Sequence, residues 1–214
     1  MKILVTGFDP FDREKLNPAY EAVKLLPAKI CGAEIIKKEI PTVFAKCADV
    51  VEKAIEKHNP DYVICVGQAG GRSCISVEKV AINFAEARIP DNEGNQPLDK
   101  AIVPDGPAAY FSTLPVKAMV ENVRSHGIPS HLSYSAGTFV CNDVMYRLLY
   151  LLAEKYHHIK GGFIHVPYTL SQAAAKSDGT AGWDEKTIAK GLEYAIEAVV
   201  KQKENSDIAL GTIH

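Results

Sequence analysis

The chain has 214 residues, 47% of them apolar, with a formal net charge of −2 and five cysteines. That is enough material for a sizeable core in one domain, residues 1–214, and the scattered basic residues speak against a nucleic-acid or polybasic membrane surface. No apolar run approaches the roughly 20 residues that span a bilayer. The odd cysteine set (Cys31, Cys47, Cys65, Cys74 and Cys141) contains no Cys-x-x-Cys pair, which argues against a disulfide framework or a zinc site and for a reducing cytoplasm.

Lys2–Thr6 reads as a short apolar strand ending in Gly7, too short in its apolar part for a signal peptide. The turn-rich loop Phe8-Asp9-Pro10-Phe11-Asp12 follows, and Asn17-Pro18 reads as a helix start, Asn as N-cap and Pro at the first helical position. That helix runs through Ala22, Val23, Leu25 and Leu26 to Pro27. Ala33–Ile40 is a second strand, closed by Pro41. Thr42 is placed to cap the next helix, whose apolar positions Val43, Phe44, Ala48, Val51 and Ile55 lead to His58-Asn59-Pro60. Asp61–Gly67 is a continuous apolar run between turn signals, the pattern of a buried parallel strand.

Gln68–Arg72 is a loop and Cys74–Asn83 is β-like or irregular. Residues 88–115, rich in Gly, Pro, Asp and Asn, read as a long loop of the kind that serves as a lid or interface or else is partly disordered. Val116–His126 reads as a helix stopped by Gly127, and Pro129–Tyr134 as a strand. A long apolar helix then begins near Cys141 and runs to about His157. Gly161–Val166 is another buried strand, closed by Pro167. Thr169–Trp183 is loop-rich with room for a short helix, and Trp183–Lys201 is the last helix, with Ile188, Leu192, Ala195, Ile196 and Val199 on one face. Strands alternating with helices predict a three-layer α/β/α sandwich on a mostly parallel twisted sheet. Ligands of such sheets gather beyond the carboxyl ends of the strands, where Phe8, Phe11, Gln68–Arg72, Cys141 and His165 fall.

Cys141 stands at the start of the long helix, where unpaired N–H groups and the helix dipole favour an anion such as a thiolate; the plainer reading is a small buried residue. His165 closes an apolar strand, as a core histidine or as the base for that thiol. A base of this kind needs a third group to fix its ring. Glu78 is a carboxylate among apolar residues, either that group or an exposed glutamate on a strand. Gly67-Gln68-Ala69-Gly70-Gly71-Arg72 matches neither the dinucleotide nor the P-loop pattern. Phe8, Phe11 and Phe139 are candidates for an apolar pocket or for core. No Gly-x-Ser-x-Gly elbow and no His-Glu-x-x-His pattern is present.

Six separated blocks, in order and over nearly the full length, resemble type I pyroglutamyl peptidases. They are Thr6-Gly7-Phe8-Asp9-Pro10-Phe11, Gly67–Arg72, Val77-Glu78-Lys79-Val80-Ala81-Ile82-Asn83, Arg88-Ile89-Pro90-Asp91-Asn92-Glu93-Gly94, Ser135-Ala136-Gly137-Thr138-Phe139-Val140-Cys141-Asn142 and Phe163-Ile164-His165-Val166-Pro167. The resemblance implies a cytoplasmic cysteine peptidase, commonly a homotetramer, that removes an N-terminal pyroglutamyl residue from peptides without metal or cofactor. It implies Cys141 as nucleophile, His165 as base and Glu78 as the residue orienting it. It further implies a pocket of Phe8, Phe11, Thr42, Ile89, Phe139 and Val140, with Gln68 in polar contact with the lactam and Arg88 near the oxyanion. A nucleoside- or phosphate-binding, phosphorylase-like protein on the same fold is the alternative.

Two positions depart from the pattern. Asp12-Arg13-Glu14 stands where relatives usually continue Gly-Gly-Glu, and Asp143 stands where a histidine or tyrosine is common. An aspartate in the first helical turn suits the dipole but is expected to make a neighbouring thiol less acidic by like-charge repulsion.

Overall fold

The computed structural model describes residues 1–202 and 204–212; of the expected domain 1–214, Lys203, Ile213 and His214 lie outside the described residues. Strand β1 (Lys2–Phe8) is buried on both faces after its first residue, which is why its sequence is apolar at both parities. Asn17 caps α1 (Pro18–Leu25) by accepting the Ala19 N–H at 3.1 Å. A tight turn joins β2 (Lys29–Ile30) to β3 (Ala33–Ile40).

Helix α2 (Lys46–His58) begins later than its apolar pattern suggests, and Thr42 does not cap it. Thr42 instead gives its N–H to Asp9 Oδ1 at 2.7 Å and its hydroxyl to the Asp9 carbonyl at 3.1 Å. The chain then turns at Ala45, whose φ of +58° and ψ of −49° close a γ-turn from the Lys46 N–H to the Phe44 carbonyl at 2.6 Å. This is a strained conformation for a residue with a Cβ.

Strand β4 (Tyr62–Gln68) is followed by β5 (Ile75–Glu78) and β6 (Val80–Ile82), so the β-like stretch resolves into two short strands. The long loop contributes only β7 (Ala109–Phe111), which forms an antiparallel ribbon with β6. Next come α3 (Val116–Ser125), β8 (Ser130–Ser133), α4 (Val140–Glu154) and β9 (Lys160–Val166). Then follow β10 (Tyr168–Thr169), α5 (Leu170–Ala174), β11 (Gly182–Trp183) and α6 (Glu185–Lys201). Trp183 thus belongs to a strand, not to the last helix. Asp184 caps α6, taking the Thr187 N–H at 3.0 Å.

The main sheet runs β2-β3-β1-β4-β9-β5-β8. The pairs β3/β1, β1/β4, β4/β9 and β5/β8 are parallel; β2/β3 and β9/β5 are antiparallel. Helices α1, α3 and α6 pack on one face with Ile3, Val5, Ile64, Val66, Ile75, Val77 and Ile164. Helices α2 and α4 pack on the other with Leu4, Phe8, Val63, Cys65 and Phe163. Side chains alternate across a strand. His165, two residues beyond Phe163, therefore faces the α4 layer. Glu78 has the parity opposite to Ile75 and Val77 and faces that layer too.

Candidate active site

Cys141 lies in the first turn of α4, beginning from Phe139, which makes no side-chain cap. The N–H groups of that turn have no partner within the helix. Two buried neighbours fix the turn. Asn142 accepts the Ile82 N–H at 3.0 Å and donates to the carbonyls of Ile82 (2.9 Å) and Phe84 (3.0 Å). Asp143, 1% exposed, accepts the Ala45 N–H at 2.9 Å and Arg147 Nε at 2.9 Å. The Asp143 carboxylate thus holds the γ-turn before α2 and is engaged away from the thiol. Glu78, rather than Asp143, is the negative charge that acts on Cys141, which corrects the expectation for that position.

Gly67 explains why the sulfur fits. It pairs with His165 across the β4/β9 ladder, and a Cβ placed on it would stand 2.8 Å from Cys141 Sγ and 2.7 Å from Phe163 Cζ. Only a residue without a side chain lets the thiol lie against this point of the strand, whose ladder partner carries the imidazole. His165 (4% exposed) holds Glu78 (0% exposed) through Nδ1 to Oε1 at 2.7 Å. With the carboxylate accepting, Nδ1 carries the proton and Nε2 keeps its lone pair. The exposed-glutamate reading of residue 78 does not hold, because β5 is covered on both sides.

Burial is the largest influence on the three groups. It pushes the Cys141 thiol up to about 12, with the Glu78 charge adding to the rise and Arg72 opposing it. Burial likewise lowers His165 below the usual imidazole value, against the opposing pull of Glu78. For Glu78, burial raises the pKa, but the hydrogen bond and charge of His165 together with Arg72 outweigh it and hold the carboxyl below its ordinary range. The resting arrangement is a neutral thiol, a neutral imidazole and an ionised carboxylate. The standing thiolate that a helix start alone suggests is absent, because desolvation outweighs the dipole.

Cys141 and His165 open onto a cavity of about 240 Å³ lined by Phe8, Phe11, Asn17, Thr42, Gln68, Ala69, Arg72, Ala136, Gly137, Phe139 and Val140. Phe139 packs against Phe11 with centroids 6.2 Å apart and edge-on against Phe44 at 5.2 Å. Gln68 is held by Gln172 Nε2 at 2.9 Å, and Gln172 itself completes the capping box of α5. Ile89 and Arg88 are not brought together with this slot. They line a neighbouring cleft with Asp12, Glu86 and Thr138, separated by Phe139. The Glu86 N–H bonds the Thr138 carbonyl and the Ala87 N–H that of Pro97, so the chain turns outward at residue 88 and leaves Ile89 37% exposed.

Asn17 and Gln172 are the side chains that sequence reasoning missed, while Arg72 was placed near the site, at the end of the glycine loop, without a role. Asn17 carried only a capping signal, Gln172 meets Gln68 across 104 residues, and Arg72 reaches Glu78 six residues on but Ser133 and Ser135 across 61 and 63. The glycine loop is not a phosphate cradle. A strand follows it rather than a helix, and a Cβ on Gly70 would meet Tyr168 Oη at 2.1 Å, so an aromatic ring already fills that side. Among the described residues no group of three or more His, Cys, Asp or Glu is placed to hold a metal ion.

A thiol, an imidazole and a carboxylate at the end of an apolar slot, on a layered α/β sheet, define a hydrolase of the thiol-nucleophile class. The family model described as pyroglutamyl peptidase matches residues 1–202, and the chain belongs to that family. It is 58% identical to the pyrrolidone-carboxylate peptidase of Enterococcus faecalis over 214 residues, covering 100% of each chain. It is 56% identical to that of Clostridium perfringens over 200 residues, covering 94% of this chain and 93% of the other. Its fold matches the crystal structure of pyroglutamyl peptidase I from Bacillus amyloliquefaciens with a TM-score of 0.94 and 46% identity, covering 97% and 99% of the two chains. A mutant pyrrolidone carboxyl peptidase from Pyrococcus furiosus matches with a TM-score of 0.89 and 42% identity, covering 94% and 99%. The nucleoside- or phosphate-binding alternative finds no support in these matches.

Proposed function

We propose that this chain is a single-domain cysteine peptidase that hydrolyses the bond after an N-terminal pyroglutamyl residue of peptides. The observation that carries the reading is the 2.7 Å bond between His165 and buried Glu78, set beside Cys141 at the end of an apolar slot in a chain of this family. The lactam has no charged amine, so an apolar slot with few polar contacts favours it over free glutamate or glutamine. Phe8, Phe11, Thr42, Phe139 and Val140 form the slot walls and Gln68 the polar contact.

The thiol attacks the carbonyl carbon outside the ring while His165 Nε2 takes its proton, so the thiolate exists as the bond forms rather than beforehand. Unpartnered N–H groups of the first turn of α4 receive the developing oxyanion; Arg88, in the neighbouring cleft, is not assigned to it. His165 then protonates the leaving amine, a thioester remains, and water activated by the same imidazole releases pyroglutamate. Glu78 keeps Nδ1 protonated throughout and stabilises the imidazolium.

The test is release of a fluorescent amine from a pyroglutamyl amide, with a prolyl amide as control. Turnover of the first alone, abolished in Cys141→Ser, is expected; equal turnover of both sinks the reading. No helix among the described residues is long and apolar enough to cross a membrane. The same reading carries a cytoplasmic location and a homotetramer, supported respectively by the odd set of thiols and by exposed Leu98, Phe111 and Leu170. Light scattering of the purified chain checks the assembly.

A further inference from the structure

We propose that Arg72 is a positioning residue of the reaction centre: its guanidinium ties the Glu78 carboxylate to the chain leading into Cys141, holding the imidazole-bearing and thiol-bearing elements in one arrangement. This rests on the roles given above to Cys141, His165 and Glu78. Arg72 Nη1 donates to Glu78 Oε1 at 2.6 Å and to Ser133 Oγ at 3.3 Å, and Nη2 donates to the Ser135 carbonyl at 2.9 Å. One planar fork therefore joins the end of β5, the end of β8 and the turn that enters α4. A lysine has the charge but not the geometry for this.

The carboxylate itself shows why the grip matters. Oε1 receives both Arg72 and His165, while Oε2 is buried without a partner. Among the described residues no hydrogen bond holds Oε2, so the contact from Arg72 fixes the oxygen on which the imidazole depends. The loop is shaped for that reach: Gly71 has φ of +87° and the Arg72 N–H bonds the Ala69 carbonyl at 3.2 Å. The Arg72 side chain stays 27% exposed and lines the slot, so its charge also bears on the bound substrate.

Glu78 is faced by His165 from β9, Arg72 from the loop, Cys141 from α4 and His131 from β8. His131 in turn contacts Cys74 at 2.8 Å and feels Arg124. Arg72 is the cation in contact with the carboxylate, and it opposes both protonation of His165 and retention of the proton by Cys141. Removing it lets Glu78 hold a proton on the imidazole to higher pH and leaves the thiol harder to ionise.

The test uses the full chain as wild type, Arg72→Gln and Arg72→Lys. Turnover of a pyroglutamyl amide is followed against pH, and alkylation of Cys141 by iodoacetamide is followed by the mass of its peptide, which needs no turnover. For Arg72→Gln, kcat is expected to fall about 100-fold with KM little changed. The acid limb of kcat/KM should move up by about one pH unit, and alkylation at a given pH should slow. Arg72→Lys should keep the acid limb near that of wild type and recover kcat only in part. Unchanged kcat in Arg72→Gln overturns the proposal, as does a fall in kcat with the acid limb and alkylation profile unmoved. A wild-type chain that fails to turn over the amide overturns the peptidase reading instead, and the alkylation arm still decides the role of Arg72.

Discussion

Gly67 is where the absence of a side chain has the most direct chemical consequence. A Cβ there would sit 2.8 Å from the Cys141 sulfur, the proposed nucleophile, and 2.7 Å from Phe163 Cζ, and Phe163 in turn lies against His165 with centroids 4.7 Å apart. Gly67→Ala is therefore expected to displace the thiol from the imidazole while the slot keeps its walls. A displacement near 1 Å costs about 100-fold in rate. Steady-state kinetics should show the loss in kcat with KM nearly unchanged; an alanine variant with wild-type kcat would show that the sulfur does not need this position. The imidazole gives a second expectation at this scale. On the proposed mechanism activity requires His165 neutral, and burial holds it below the usual imidazole value of 6.5. The acid limb of kcat/KM should accordingly fall below pH 6.5, and a limb centred above pH 7 would contradict the resting state described for the pair. Glu78→Gln should be milder than Cys141→Ser, since an amide still offers Nδ1 an acceptor but no longer balances the imidazolium charge.

Between elements, the contact of α4 with the start of α2 decides where the slot wall stands. Asp143 accepts the Ala45 N–H, Asp91 accepts the Phe44 N–H at 2.9 Å, and Phe44 packs edge-on against Phe139. The strained turn is held by carboxylates distant in sequence, and no local signal at Ala45 announces it. That is why the helix pattern from Val43 onward suggested a start near Thr42. Other elements were legible for physical reasons. The continuous apolar runs 61–67 and 161–166 read as buried strands because both their faces are covered. Asn17-Pro18 read as a helix start because its cap is local. The direction of β5 was not legible, because direction depends on which strand it pairs with. The positions of Cys141 and His165 at element ends were legible, whereas the Arg72 fork joins three segments that only the fold brings together. Asp143→Asn tests the contact. It should leave the Cys141 titration unmoved and lower stability by about 1–3 kcal/mol through a mismatched buried partner. For a chain of this size that is a Tm fall of roughly 2–12 °C. A shifted thiol titration with unchanged Tm would restore the repulsion first expected of Asp143.

For the molecule as a whole, burying the hydrogen-bonded pair His165 and Glu78 inside the sheet couples its protonation to folding. His165 has a folded pKa depressed below 6.5. As pH falls through 6.5 the unfolded chain takes a proton that the folded chain refuses, so stability declines from there and levels off below the folded value. Glu78 is depressed below 4.5; its contribution is complete above that pH and is lost as pH falls towards its folded value. Both act in the same direction, in successive windows, and both belong to the site rather than to the surface. Thermal unfolding followed from pH 7.5 to 5 should show Tm falling below about pH 6.5 in the wild type. His165→Gln keeps the burial and removes the titration, so its Tm should be flatter across that first window even if it starts lower. Parallel Tm profiles for the two chains would mean that the acid sensitivity lies elsewhere. A wild-type profile flat down to pH 5 would mean that the buried imidazole takes its proton as readily folded as unfolded.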